Sequence, residues 1–589
     1  MFKRVVKFCR TTVCAAPVFF LLNTLFLLAI VFLRLGMSYT FKYLTEMLAD
    51  TSGTIQRSHV LIPILLFFMC ITLAGNWGNF TRMMKMLCTR KAKKIYSRRF
   101  LQKAYQSRQD DFYVKDFYDQ YEYVKTHMED TTQLSEVIFT DLLYAVMNTI
   151  VVSVSISVFS PLIFLYIAVI SVCMSSVNIY AAKRRVSLND SYINKERSAA
   201  YYDKLFIDKG AAREIRIFHL KDHLLSLWKE KYDGVYYDKY QLETKLKTLS
   251  CLPDILQNVF SYLLLVSFAY GVYTGSLSLG EFVFLFNVMW ALTGSLTSII
   301  TILSGTIFEK DKYVERYERF VAREANVHEE QGNRAGAFSD LELGHVSYRY
   351  ENQQRAAVED VSLKIKRGEI VSILGDNGSG KTTLSKIICG LLENYDGDVW
   401  YNGENLKDID RETYYKRFGV GFQEFARYSL TLRENIGIGS VEHMEDEKML
   451  QEAVDKGNLG ELLDRLPRGI DTVLGKEYDE NGRELSGGQW QRVILSRVYM
   501  GTPDILVLDE PTASIDPIAE MELLQHFREI IGGRTAILIS HRIGFARLSD
   551  RICIMEDGRL TEQGTHEELL AAKGKYYRLF SEQKKLYGE

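Results

Sequence analysis

Cysteine is scarce in this 589-residue chain, and the eight that occur form no pattern. Cys9, Cys14, Cys70, Cys88, Cys173, Cys251, Cys389 and Cys553 lie singly, which argues against a disulfide framework and against a cysteine metal site. Excess charge is missing too: 72 Lys and Arg against 74 Asp and Glu leave −2 at pH 7. Whole-chain charge therefore gives no sign of a nucleic-acid partner, and none is expected. A third absence says more. Charged residues are missing altogether from Thr11 to Leu33, Val60 to Thr81, Leu142 to Ala182, Ile255 to Gly280 and Phe282 to Phe308. About 20 mostly apolar residues suffice for one helix to cross a bilayer. The run from Leu142 is long enough for two such helices with a turn at Pro161, so six spans are predicted.

An even number of spans puts both ends on one side, and the basic residues say which. Lys3, Arg4, Lys7 and Arg10 precede the first span without an acid among them. Arg82, Lys85, Arg90, Lys91, Lys93, Lys94, Arg98 and Arg99 follow the second in the same way. Basic loops stay cytoplasmic, so a cell-membrane protein with both termini inside is expected. The first run is too long for a cleaved signal and lacks an A-x-A-like site. No peptidase-like domain precedes it, so coupled leader cleavage is not expected. Long charged segments with helical spacing separate spans two and three, and four and five; they are too long for connections and predict spans that continue as cytoplasmic helices. The expected domains are 1–320, membrane; 321–336, linker, with Gly332 to Gly336 at its tip; and 337–589, an α/β domain.

That last domain carries the chemistry. Gly375-Asp-Asn-Gly-Ser-Gly-Lys-Thr-Thr383 fits G-x-x-x-x-G-K-[ST], between an apolar strand-like run and a helix-like one. Such a loop turns successive N–H groups toward phosphate oxygens, and the helix start adds its dipole. Lys381 is placed to reach the β/γ-phosphates and Thr382 to ligate Mg2+. Downstream, Ile505 to Asp509-Glu510 reads as a buried parallel strand delivering two carboxylates at its C-terminal edge. Asp509 is the candidate metal holder and Glu510 the candidate base for water. Ile537 to His541 is a second such strand, ending in a histidine. Leu485-Ser-Gly-Gly-Gln489 precedes a helical run whose start can offer N–H groups to phosphate.

Taken in order, these motifs resemble the ABC transporters, specifically an exporter-type half-transporter: a six-span α-helical membrane domain fused to one α/β P-loop nucleotide-binding domain. The resemblance covers essentially the whole chain. It implies ATP and Mg2+ as cofactors, and nucleotide contacts from Tyr350, Gly375, Asn377, Gly378, Ser379, Gly380, Lys381, Thr382 and Thr383. It implies a Q-loop at Gln423, acting on the metal and on catalysis beside Thr382 and Asp509, and an H-loop at His541. Ser486, Gly487, Gly488, Gln489 and Asp516 would meet the ATP of a second half-transporter, identical or related. Phe112 to Tyr123 and Tyr201 to Phe218 resemble coupling segments. One departure stands out: Lys476 to Asn481 lengthens the stretch before the signature.

The reading is ATP-driven export of an amphipathic or peptide-like compound. Its rivals are a lipid flippase or multidrug pump, an importer on the same fold, and an ATP-driven sensor. Asn287, Ala291, Gly294, Ser298, Thr301 and Ser304 form a small and polar stripe in the last span, either pore-lining or helix-packing. No cluster of membrane acids or bases is expected to mark an ionic cargo.

Overall fold

Two compact units make up the chain: 1–105 with 120–323, and 106–119 with 324–589. The computed structural model describes residues 2–49, 57–157, 161–323, 332–351, 353–511 and 531–586.

The first unit is helical. Helix α1 (Phe2–Ala15) stops where Pro17, which has no N–H and restrains the residue before it, begins α2 (Pro17–Ala49). The first uncharged run is thus divided between two helices. Arg4 of α1 ties back to Asp311 through two hydrogen bonds of 3.1 and 2.9 Å. Phe8 stacks on Tyr96 with ring centroids 4.4 Å apart. Next come α3 (Arg57–Tyr105), α4 (Lys115–Thr126) and α5 (Met128–Glu136). A π-helical stretch, Val137–Leu142, joins α5 to α6 (Leu143–Ser157). Then follow α7 (Pro161–Ile207), α8 (Lys209–Ile217), α9 (Lys221–Tyr273) and α10 (Leu279–Thr301), with a second π stretch, Ile302–Thr306, before α11 (Ile307–Val321). Glu281, the charge dividing the last two runs, closes a capping box on α10. Its carboxylate accepts from Ser278 N at 2.9 Å, while Ser278 Oγ accepts from Glu281 N at 3.0 Å.

Among the described residues, six helices are long and apolar enough to cross a membrane. They overrun the uncharged stretches: α2 alone has 33 residues, about 50 Å at 1.5 Å each, against hydrocarbon about 30 Å thick. Arg34 and Asp141, the charges flanking two of those stretches, consequently lie inside helical spans rather than in loops. The α10 residues Phe284 and Leu292 are fully buried with Ile156 of α6 and Ile167 of α7 in the apolar core of this unit.

Among the described residues the second unit has two sheets. Strands β1 (Asp340–Tyr348), β2 (Val358–Lys366), β4 (Asp396–Tyr401) and β5 (Glu404–Asn405) form an antiparallel sheet in the order β2-β1-β4-β5. The other runs β10-β9-β3-β8-β7-β6, with β3 (Ile370–Gly375), β6 (Phe418–Gly421), β7 (Ile505–Asp509), β8 (Thr535–Ser540) and β9 (Arg551–Glu556) parallel and β10 (Arg559–Gly564) antiparallel at the edge. Every residue of β3, β7 and β8 is buried, which is why each reads as a continuous apolar run rather than an alternating one. Helix α12 (Lys381–Ile388) packs Leu384, Ile387 and Ile388 into the core between the sheets.

Candidate nucleotide site

Because β3, β8 and β7 are adjacent and parallel, their C-terminal ends reach one edge together. Leu374 pairs with Ser540, and Asp509 pairs with Ile539. The P-loop, His541 and the Asp509-Glu510 pair are therefore brought to one place by strand register alone. Ligands of open α/β sheets bind at this edge.

The loop from Gly375 turns into α12 at Gly380, whose φ of +99° belongs to the left-handed region. A Cβ there would stand 2.1 Å from the Ala357 carbonyl oxygen, so glycine is required twice over. Gly380→Ala is expected to cost about 1–3 kcal/mol in backbone strain and to deform the loop. Loss of the ATP-dependent shift in thermal unfolding would show it, and an unaltered shift would count against the assignment.

Lys381 is buried and donates to the carbonyls of Gly375 at 2.9 Å and Asp376 at 2.7 Å. Burial lowers its pKa, against the pull of Glu510, Asp509 and Asp376. Ser379 Oγ and both carboxylate oxygens of Asp509 are buried without a hydrogen-bond partner among the described residues. Burial raises the Asp509 pKa; Thr382 pulls it down, although its hydroxyl makes no well-aligned hydrogen bond to either oxygen. A buried carboxylate without a donor, beside the Thr382 hydroxyl and a lysine, fits a bound cation next to phosphate.

Glu510 is held from several sides. Gln423 Nε2 donates to its Oε2 at 2.9 Å, and His541 Nδ1 stands 3.0 Å from its Oε1. Its N–H donates to Ile539 O at 2.8 Å, and Gln491 Nε2 donates to its carbonyl at 2.9 Å. The backbone at Glu510 has φ +50°, unusual for a residue with a side chain and of a kind that collects at functional sites. Tyr350 lies half-buried with its hydroxyl 3.3 Å from that of Thr383.

Ser486 caps the helix Gly487–Met500: its Oγ accepts from Gln489 N at 3.3 Å, and Gln489 Oε1 accepts from Ser486 N at 2.9 Å. The start of this helix is exposed at Ser486. The longer stretch before it folds into a closed loop, with Gly475 N donating to Arg483 O and Arg468 pairing with Asp479 at 2.7 Å. Asp516 lies outside the described residues.

Three further contributors surround the site, the last of them overlapping the segment that begins at Phe112 in the sequence reading. Gln491 braces Glu510 from the helix behind it. Lys575, from the helix Lys575–Leu586, bonds Asp376 of the P-loop at 2.7 Å and Glu556 at 2.9 Å, and holds the Asp376 carboxyl below its usual range. The third is the stretch 106–119, which belongs to this unit. There buried Asp110 accepts from the Tyr348 hydroxyl at 2.7 Å and from the N–H groups of Glu393 and Asn394 at 3.0 and 3.3 Å. Tyr113 packs edge-on against Tyr350, with centroids 5.2 Å apart.

Residues 358–513 match the family model described as ABC transporter. The chain is 31% identical over 380 residues to the subtilin transport ATP-binding protein of Bacillus subtilis, covering 64% of this chain and 61% of that one. It is 30% identical over 392 residues to the nisin transport ATP-binding protein of Lactococcus lactis, covering 66% and 65%. The match thus spans a little under two thirds of these relatives. Among solved structures, a bacterial Atm1-family ABC exporter with ATP bound superposes with a TM-score of 0.79 at 20% identity, over 98% of each chain.

Proposed function

We propose, from the premise that this chain belongs to the ABC transporter family and is a multi-pass membrane protein with an exporter fold, that it hydrolyses ATP to export an amphipathic or peptide-like compound. The observation that carries this reading is the convergence of the P-loop, Asp509-Glu510 and His541 on one sheet edge, in a chain whose described residues also supply six membrane-length helices. The relatives named for subtilin and nisin transport support a peptide-like cargo.

In this reading Tyr350 packs the adenine, and the P-loop N–H groups with Lys381 hold the phosphates. Thr382, Gln423 and Asp509 would hold Mg2+, which when bound offsets phosphate charge. Glu510 takes a proton from the attacking water, with His541 and Gln423 fixing its two oxygens in place. Ser486 to Gln489 face the nucleotide of a second half-transporter, so a dimer, with itself or a related chain, is the working unit. Exposed Ile207, Ile217 and Phe218 around α8 are apolar surface suited to that partner. The basic residues around spans one and two support a cytoplasmic side for both termini and the nucleotide domain.

The test is transport into inside-out vesicles holding this chain alone, with a labelled amphipathic peptide and with labelled lipid. ATP-dependent accumulation of peptide is expected. ATP turnover with no accumulation of either probe would favour a sensor.

Asp110 links the stretch 106–119 to the nucleotide domain. Asp110→Ala strands a buried tyrosine hydroxyl and two N–H groups, each at about 1–3 kcal/mol. Basal ATP turnover should persist while its stimulation by cargo falls at least several-fold. Undiminished stimulation would exclude this route of coupling.

A further inference from the structure

A cavity of about 770 Å3 lies in the helical unit, walled by α2, α3, the α5–α6 span and α10. Four stripe residues of the last span, Asn287, Ala291, Gly294 and Ser298, line it, whereas Thr301 and Ser304 do not. The wall also carries Arg34 and Asp141, one base and one acid rather than a cluster of either sign. Both residues flank uncharged runs in the sequence, and only the length of the helices brings them to the cavity.

The two charges differ in how they are satisfied. Asp141 has Lys85 at 3.6 Å, a lysine that also pairs with Glu136 at 2.7 Å. Arg34 donates one hydrogen bond, from Nη1 to the Tyr144 hydroxyl at 2.7 Å, and lies 5.6 Å from the centre of that ring. Among the described residues no carboxylate comes within ion-pair distance of it. A guanidinium carries five donors in a planar fork that matches carboxylate and phosphate oxygens. An ionisable side chain in a membrane-length helix, lining a cavity and not ion-paired to the acid on the same wall, is the kind that marks a ligand pathway. Trp290 and Tyr144 on the same wall supply aromatic surface for the apolar part of a ligand.

We propose that Arg34 is the specificity residue of this cavity, selecting amphipathic cargo that bears an oxyanion, a carboxylate or a phosphate. This rests on the export reading above and adds the cargo's charge to it.

The test uses the full chain in nanodiscs of zwitterionic lipid and four fluorescent probes. Two are an amphipathic peptide with a free C-terminal carboxylate and the same peptide as its carboxamide. The other two are a phosphate-headed single-chain lipid and its uncharged alcohol counterpart. Wild type is expected to bind an anionic probe at least about tenfold tighter than its neutral twin, the size of one charge-assisted contact. Preference in the peptide pair alone assigns a carboxylate, in the lipid pair alone a phosphate, and in both a general oxyanion site. Arg34→Gln should erase the preference and Arg34→Lys should keep part of it, which separates charge from misfolding. Equal binding within both pairs, or a preference that survives Arg34→Gln, overturns the proposal. ATP turnover is followed in the same nanodiscs. Turnover without a head-group preference overturns the role of Arg34 alone. Preference without turnover that depends on Glu510 overturns the export reading and leaves the binding site standing.

Discussion

Glu510→Gln is expected to lower ATP turnover at least about 100-fold, the loss typical of removing a positioned general base, while nucleotide binding stays near the wild-type value. The substitution keeps size and hydrogen-bonding reach. An amide can still face Gln423 and His541, which hold the carboxylate at 2.9 and 3.0 Å. What it loses is the capacity to take a proton. The strained backbone at φ +50°, pinned through its N–H and its carbonyl, should survive the change, so the loss should fall on kcat rather than on affinity. Steady-state hydrolysis beside equilibrium binding of a fluorescent ATP analogue separates the two. Turnover within a few-fold of wild type would remove Glu510 from the role of base and shift attention to His541.

Lys381→Ala should behave in the opposite way, failing at binding. The ammonium is buried, and two loop carbonyls, those of Gly375 and Asp376, orient it. In the proposed site its charge-assisted contacts to phosphate would be worth about 1.5–3 kcal/mol, a factor of about 10 to 150 in affinity. The same lysine lies near Asp509 and Glu510, so removing it also leaves two neighbouring carboxylates with less opposing charge. Titration of the ATP analogue should show the weakening even where hydrolysis is too slow to follow. Unchanged affinity would mean that the P-loop N–H groups hold the phosphates without help.

The parts of this site that were legible in the sequence share one physical cause. A parallel strand buried on both faces reads as a short apolar run, and its chemistry sits at the residue where the run ends. Gly375, Asp509 and His541 are all found that way, and strand order then brings them together. Lys575 and Asp110 could not be found so. Each acts through contacts to residues remote in the sequence, Lys575 to Asp376 and Asp110 to Tyr348, Glu393 and Asn394, from a segment whose own pattern is that of a charged surface. Arg34 and Asp141 were hidden for another reason. Uncharged length measures what a bilayer requires, not where a helix stops, and α2 and α5–α6 continue well past their apolar stretches. The turn at Pro17 shows the reverse error, since an uncharged run can hold a helix break that composition does not register. The substitution-sensitive Gly380 lies between these cases. Its motif is visible, but the carbonyl of Ala357 that forbids a side chain comes from β2's approach and is seen only in three dimensions.

The bond between Lys575 and Asp376 joins residues 199 positions apart. The strands on either side of β3, namely β8 and β9, also arrive late in the chain. At a synthesis rate of roughly 5–20 residues per second, about 10–40 s separate emergence of the P-loop from emergence of the lysine that braces it. The membrane helices are made before either. During biogenesis, then, the membrane-length helices and the glycine loop are made well before the lysine that bonds Asp376.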